Sequence, residues 1–259
     1  MRKRITFLAL VMVTPFMKLS GQGTEVKYQQ GEATLKGYFV RSKRNSKKAP
    51  GVLVLSTWMG INEHSKGYAE RLSSLGYHAF VADVYGEGYE PKDKQEAAKL
   101  SGFYKKDYKA YQDRIRIGLD QLVRLGADPQ KIVVIGFCFG GTGALEAARG
   151  GLPVAGVVSI HGGLSKDSSR AHVSMHTKIL VLHGADDPRV PPQDVAAFIR
   201  EANEGKADWQ LIAYSGAVHA FTDPSAGADP SKGSAYNETA ARRSWEHLKI
   251  FLKELFEEK

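Results

Sequence analysis

The chain has one cysteine, and it stands where an apolar run turns into an alanine-rich one. The stretch is KIVVIGFCFGGTGALEAARG, residues 131–150. Cys138 lies between Gly136 and the pair Gly140–Gly141. Those glycines leave room for a sharp strand-to-helix corner that a side chain would obstruct. At such a corner a thiol points outward, and the following helix aims N–H groups and the positive end of its dipole at it. An ordinary thiol, with a pKa of about 8.5, is only a few per cent ionised at neutral pH. A helix N-terminus and a nearby imidazolium lower that value and make a nucleophile. An isolated cysteine is often an inert core filler, so the chemistry depends on partners.

Where a nucleophile occupies a strand-to-helix corner, an acid and then a histidine follow in chain order. The run KILVLHG (178–184) leads into ADDPRVPP, with Asp187 placed to reach an imidazole. Its neighbour Asp186 is the competing candidate, or a cap for the turn. The run WQLIAYS (209–215) leads into GAVHAF, which puts His219 on the last loop before the C-terminal helical stretch. Alone, each is an ordinary loop residue; three in this order, each at a strand end, point to nucleophilic acyl chemistry.

Other residues carry weaker signals. His161, in SIHGG, also ends a strand-like run and either lines a pocket or is a plain loop histidine. Trp58 and Tyr85 suit an apolar pocket wall or simple core packing. His172 and His176 are four residues apart, but AHVSMHT is not helical in pattern and offers no carboxylate, so no metal site is expected. The spacing G-x-x-x-x-G-K-[ST] is missing, so the glycine corner is no phosphate loop. No cofactor is called for.

The elements that must position these groups alternate. EVKYQQ and ATLKGYFVRS flank QGE as a hairpin. GVLVLS, HAFVADVY, KIVVIGF, VAGVVSI, KILVLHG and WQLIAYS are short, apolar and β-branched, as in a parallel sheet buried on both faces. HSKGYAERLSSLG, DYKAYQDRIRIGLDQLVRLG, PPQDVAAFIREANEGK and the last 26 residues from Ser234 read as helices. The prediction is an α/β fold: a mostly parallel central sheet with an N-terminal hairpin and helices on both faces. Residues 24–259 form one domain, since no linker divides them. GADPSKGSAY (227–236) reads as a loop with no assigned role.

Residues 1–23 read as a cleaved export signal: MRKR, then ITFLALVMVTPFM, then small residues in KLSGQG. Pro15 and Lys18 keep the apolar run short of the roughly 20 residues a membrane span needs. The expected location is therefore periplasmic or secreted, with no stable membrane association after cleavage. Removing this segment takes Arg2, Lys3, Arg4 and Lys18 and no acid, so the net charge of +8 falls by four. The basic cluster RSKRNSKKAP (41–50) has no interleaved aromatics and reads as a solvated loop rather than a nucleic-acid surface. One cysteine excludes an internal disulfide. Monomer and homodimer both stay open.

GFCFGG, HGADDPRVP and GAVHAF resemble the motifs of the dienelactone hydrolase family, α/β-hydrolases with a Cys–His–Asp triad. STWMGINE followed by YHAFVADVYGEG is similar to that family's first block. The resemblance implies Cys138 as nucleophile, His219 as general base and acid, and Asp187 as the group orienting His219. It also implies an oxyanion hole from the backbone N–H groups of Trp58 and Phe139, and a pocket that includes Thr57, Tyr85 and His161. Two positions depart from the family. Thr57 stands where a Glu typically contacts the resting thiol, and no arginine follows Asp83-Val84-Tyr85 to hold a substrate carboxylate. The expected activity is hydrolysis of a small ester or lactone. A peptidase or acyltransferase on the same fold, and a catalytically silent binding protein, are the alternatives.

Overall fold

A computed structural model describes residues 23–44, 48–167, 169–171 and 173–257. The export signal read over 1–23 lies outside this range apart from Gly23, and the core of the basic cluster, 45–47, lies outside it too. The strands are β1 (Thr24–Gln30), β2 (Ala33–Val40), β3 (Ala49–Leu55), β4 (His78–Ala82), β5 (Ala127–Phe137), β6 (Gly156–Ile160), β7 (Lys178–Gly184) and β8 (Trp209–Tyr214). They form one sheet in the order β1-β2-β4-β3-β5-β6-β7-β8. The β1–β2 hairpin joins antiparallel at the β4 edge, and every pairing from β4 to β8 is parallel. This is the predicted architecture.

Among the described residues six α-helices cover the faces: α1 (Glu63–Leu75), α2 (Lys94–Lys106), α3 (Tyr108–Arg124), α4 (Phe139–Arg149), α5 (Pro192–Glu204) and α6 (Glu238–Phe256). Successive strand residues point to opposite faces, and here both faces are apolar. Val52, Val54, Ile135 and Leu180 pack with Leu72 of α1 and Leu248 and Phe251 of α6. Leu53, Leu55, Val134 and Val181 pack with Ile115 of α3, Ala144 of α4 and Phe198 of α5. The double burial explains the near-continuous apolar strands. Among the described residues no helix is long and apolar enough to cross a membrane.

Helix α2 was not anticipated. Its buried residues are Ala97, Ser101 and Tyr104, too small or polar to write a clear apolar stripe. Its start was nonetheless marked: the Asp93 side chain accepts from the N–H groups of Gln95 and Glu96, and Glu96 accepts in return from the Lys92 N–H, a near relative of the reciprocal capping pattern.

Candidate active site

The parallel strands end on one side of the sheet, and the corner after β5 is tight. Cys138 has φ 54 and ψ −114, a strained conformation for a residue with a side chain. Glycine on either side makes the corner feasible. A Cβ on Gly136 would lie 1.8 Å from the Gly140 carbonyl oxygen, and one on Gly140 would lie 2.2 Å from the Leu55 carbonyl oxygen. The corner is thus pressed against β3 by backbone contact. Cys138 is half-buried and caps α4, with the Phe139 N–H acting on its thiol. Phe139 is clamped between two stacked rings, Tyr111 at 4.6 Å and Tyr85 at 6.0 Å.

The acid and histidine meet on the loops after β7 and β8. Asp187 Oδ2 lies 2.8 Å from His219 Nδ1, and Asp187 Oδ1 accepts from the Arg189 N–H. Asp187 is 4% exposed, so its carboxylate is committed to these partners. Asp186 instead accepts from the Gly216 N–H at 3.0 Å, tying two loops together. The turn-cap alternative describes Asp186, and Asp187 is the carboxylate on the imidazole. His219 Nε2 is buried, and its ring acts on the Cys138 thiol.

The titration behaviour of the two groups is linked. Burial pushes the Cys138 thiol up, but His219, the Phe139 N–H and Lys105 outweigh it and hold the thiol below its ordinary value. Burial pulls His219 down, yet Asp187 and Cys138 raise it to about 9. Both shifts favour a thiolate beside an imidazolium, which titrates as a pair.

The remaining predicted residues fall in two places. Trp58 and Thr57 sit in the turn after β3, where the Gly60 N–H donates to the Thr57 carbonyl. The Tyr85 hydroxyl donates to the Trp58 carbonyl at 2.8 Å, so one tyrosine braces the Trp58 turn and Phe139 together. Thr57, Tyr85 and Phe139 line a narrow crevice. His161 does not line it. It is 1% exposed, with its ring against Phe137, His219 and Phe221 and its Nδ1 facing the Cys138 N–H. The expectation of His161 as a pocket residue is corrected on that ground. Glu63 begins α1, points to solvent and pairs with Lys66.

A cavity of about 380 Å³ beside the corner is lined by residues including Tyr104, Lys105, Thr142, Gly163 and Arg189. A larger one, about 680 Å³, lies between α1 and α6 and includes His64 and Thr222 in its lining. None of the three triad candidates lines either cavity. Among the described residues no cluster of His, Cys, Asp or Glu could hold a metal; His176 is exposed and His172 lies outside the described residues.

Sequence reasoning missed Thr222 and the loop 227–236. The loop returns to the histidine: the Ala235 N–H donates to the His219 carbonyl, and Asn237 to that of Phe221. Its composition carried no sign of this, since the contacts are made by the backbone.

An open, mostly parallel sheet with Cys138 at the corner after β5, Asp187 after β7 and His219 after β8 has the layout of an α/β-hydrolase. The model of the dienelactone hydrolase family matches residues 35–256, and the chain belongs to that family, whose members hydrolyse esters and lactones. Two solved structures are similar over most of the chain. The protein named m3DLH is 34% identical and has a TM-score of 0.85, over 91% of this chain and 98% of that one. A dienelactone hydrolase-like promiscuous phosphotriesterase from metagenomic libraries is 36% identical, with a TM-score of 0.85, over 90% and 98%. A Bradyrhizobium sp protein named "Probable 2-oxo-3-(5-oxofuran-2-ylidene)propanoate lactonase" is 29% identical over 221 residues, 80% of this chain and 84% of that one.

Proposed function

We propose that the chain cleaves a small carboxylic ester or lactone through Cys138, His219 and Asp187, by way of an acyl-thioester. The observation that supports this reading is the 2.8 Å contact of Asp187 with His219 Nδ1, which leaves Nε2 free for the thiol at the strained corner. The Cys138 thiolate attacks the acyl carbon, and the carbonyl oxygen takes the negative charge. The N–H groups of Trp58 and Phe139 receive that oxyanion, the role in which preorganised donors contribute most. The C–O bond breaks as the leaving oxygen takes the proton from His219 Nε2. Water then attacks the thioester, giving a proton to His219, and the acid leaves as the thiol is regenerated.

Thr57 has no charge to hold the resting thiol neutral, so the pair rests as thiolate and imidazolium and accepts a broad set of activated esters. The leader pattern of residues 1–23 supports export, which N-terminal sequencing of the mature protein checks. The functional test is a panel of aryl esters, enol lactones, thioesters and an aryl phosphotriester against wild type and Cys138→Ser. Turnover of one acyl class by wild type and its loss in Cys138→Ser is expected. Equal turnover by both proteins contradicts the reading.

A further inference from the structure

His161 takes no part in the acyl-transfer steps, yet it is 1% exposed and both its ring nitrogens are engaged. The Cys138 N–H donates to Nδ1 at 3.2 Å while also facing the Ile160 carbonyl at 3.1 Å. Nε2 lies 2.9 Å from Thr222 Oγ1. An amide N–H can only donate, so Nδ1 carries a lone pair and the neutral ring carries its proton on Nε2, donated to the Thr222 hydroxyl. Thr222 belongs to the loop that bears His219, and its carbonyl accepts from His64 Nε2 in α1 at 2.9 Å. The His161 N–H is itself pinned to the Leu182 carbonyl at 2.8 Å.

The ring therefore bridges two segments that the sheet only approximates: the nucleophile corner and the histidine loop. Of the two links in the triad, Asp187–His219 is a 2.8 Å hydrogen bond, and His219 is coupled across the other link to the Cys138 thiol. The separation of thiol and imidazole is set by whatever holds their backbones. We propose, on the triad reading above, that His161 is a positioning residue. It acts as a neutral strut from the Cys138 N–H to the Thr222 hydroxyl, and it fixes the thiol against His219 Nε2.

Neutrality is part of the device. A protonated ring would aim a second N–H at the Cys138 N–H and place a positive charge 5.3 Å, ring to ring, from His219. Burial, with His219 and His64 nearby, keeps His161 well below the ordinary histidine range. The other titratable groups facing the couple are Asp187, His183, Lys105 and Tyr85, and none of them touches the strut.

Thr222→Val tests the strut from the end remote from the thiol. It leaves the buried Nε2–H without an acceptor, which favours the tautomer protonated on Nδ1, and that tautomer meets the Cys138 N–H donor to donor. The kcat for an activated ester should fall on the order of 10²-fold, the scale of a small misplacement of reacting groups, with KM nearly unchanged. Thr222→Ser should restore most of it. Nitrogen-15 NMR of the substrate-free wild type should show His161 Nδ1 bare and Nε2 protonated, and a mixture in Thr222→Val. His161→Phe, which loses both ends, should fall at least as far; if it does not fold, the Thr222 pair still decides. A Thr222→Val kcat within about threefold of wild type, or a wild-type His161 protonated on Nδ1, overturns the proposal. The NMR result does not use the reactivity of Cys138. An active Cys138→Ala would therefore sink the triad reading while leaving the strut to be judged by its tautomer.

Discussion

Helix α4 begins at a thiol and ends at a guanidinium, and the polar groups at its two ends are finished differently. At the C-terminal end Arg149 is 6% exposed. It donates to both oxygens of Glu201, to Glu146 and to the Leu164 carbonyl. Glu146 also accepts from Arg170 twice and from Gln112. Every charge there is matched, as buried charges must be to persist. At the N-terminal end Cys138 is strained, half-buried and without a side-chain cap hydrogen bond, and the group acting on its thiol is the titratable ring of His219. The saturated cluster holds the helix in place. Under the proposed function, the other leaves the thiol open to a substrate.

That contrast can be broken at either end. Cys138→Ala and His219→Ala should each lower ester hydrolysis on the order of 10⁴-fold or more; the melting temperature should stay almost unchanged in Cys138→Ala and fall in His219→Ala, which takes the imidazole from the buried Asp187 carboxylate. Steady-state kinetics beside calorimetry separates this from unfolding. Asp187→Asn should cost up to about 10⁴-fold in kcat by favouring the wrong tautomer of His219, whereas Asp186→Asn should leave kcat close to wild type. A damaging Asp186→Asn with a harmless Asp187→Asn would reassign the acid.

Arg149→Met should behave in the opposite sense. It strands Glu201 in the core and takes one of several partners from Glu146, and breaking a buried pair typically costs about 3–5 kcal/mol. Denaturant titration should show that loss, while kcat per folded molecule stays near wild type. A collapse of kcat without a loss of stability would mean the two ends of α4 are coupled.

The smallest effects are in pH. His219 is raised to about 9 from an unfolded value of about 6.5, so its contribution to stability is complete below pH 6.5 and is lost as pH rises through about 9. Burial raises Glu146, but Arg170 and Arg149 outweigh it and hold the carboxyl below its ordinary value. Its contribution is present above about pH 4.5 and is lost as pH falls through the depressed value. Melting temperature against pH should therefore decline at both extremes. His219→Ala should flatten the alkaline limb, and Glu146→Gln the acid limb.

The two ends of α4 also differ in how far the sequence announced them. Gly136, Cys138 and Gly140 were legible because a backbone pressed against β3 tolerates no side chain, and that constraint is written in residue types. Asp187 and His219 were legible by chain order at strand ends, and the strands by their burial on both faces. Arg149, Glu146 and Glu201 read as ordinary helix charges, since only packing turns them into a cluster. Thr222 was hidden because a loop threonine has many ordinary uses, and the burial of His161 was hidden because its ring contacts, Phe137, His219 and Phe221, are all distant in sequence.

The most direct test of the open thiol is the rate of Cys138 alkylation in the substrate-free protein as a function of pH. The account predicts a midpoint below the ordinary thiol value of about 8.5, moved upward by His219→Ala. Lowered reactivity in Thr57→Glu would add that the missing carboxylate is what leaves the thiol unrestrained. Alkylation that stays slow until alkaline pH, unchanged by His219→Ala, would contradict a thiolate–imidazolium couple at the head of α4.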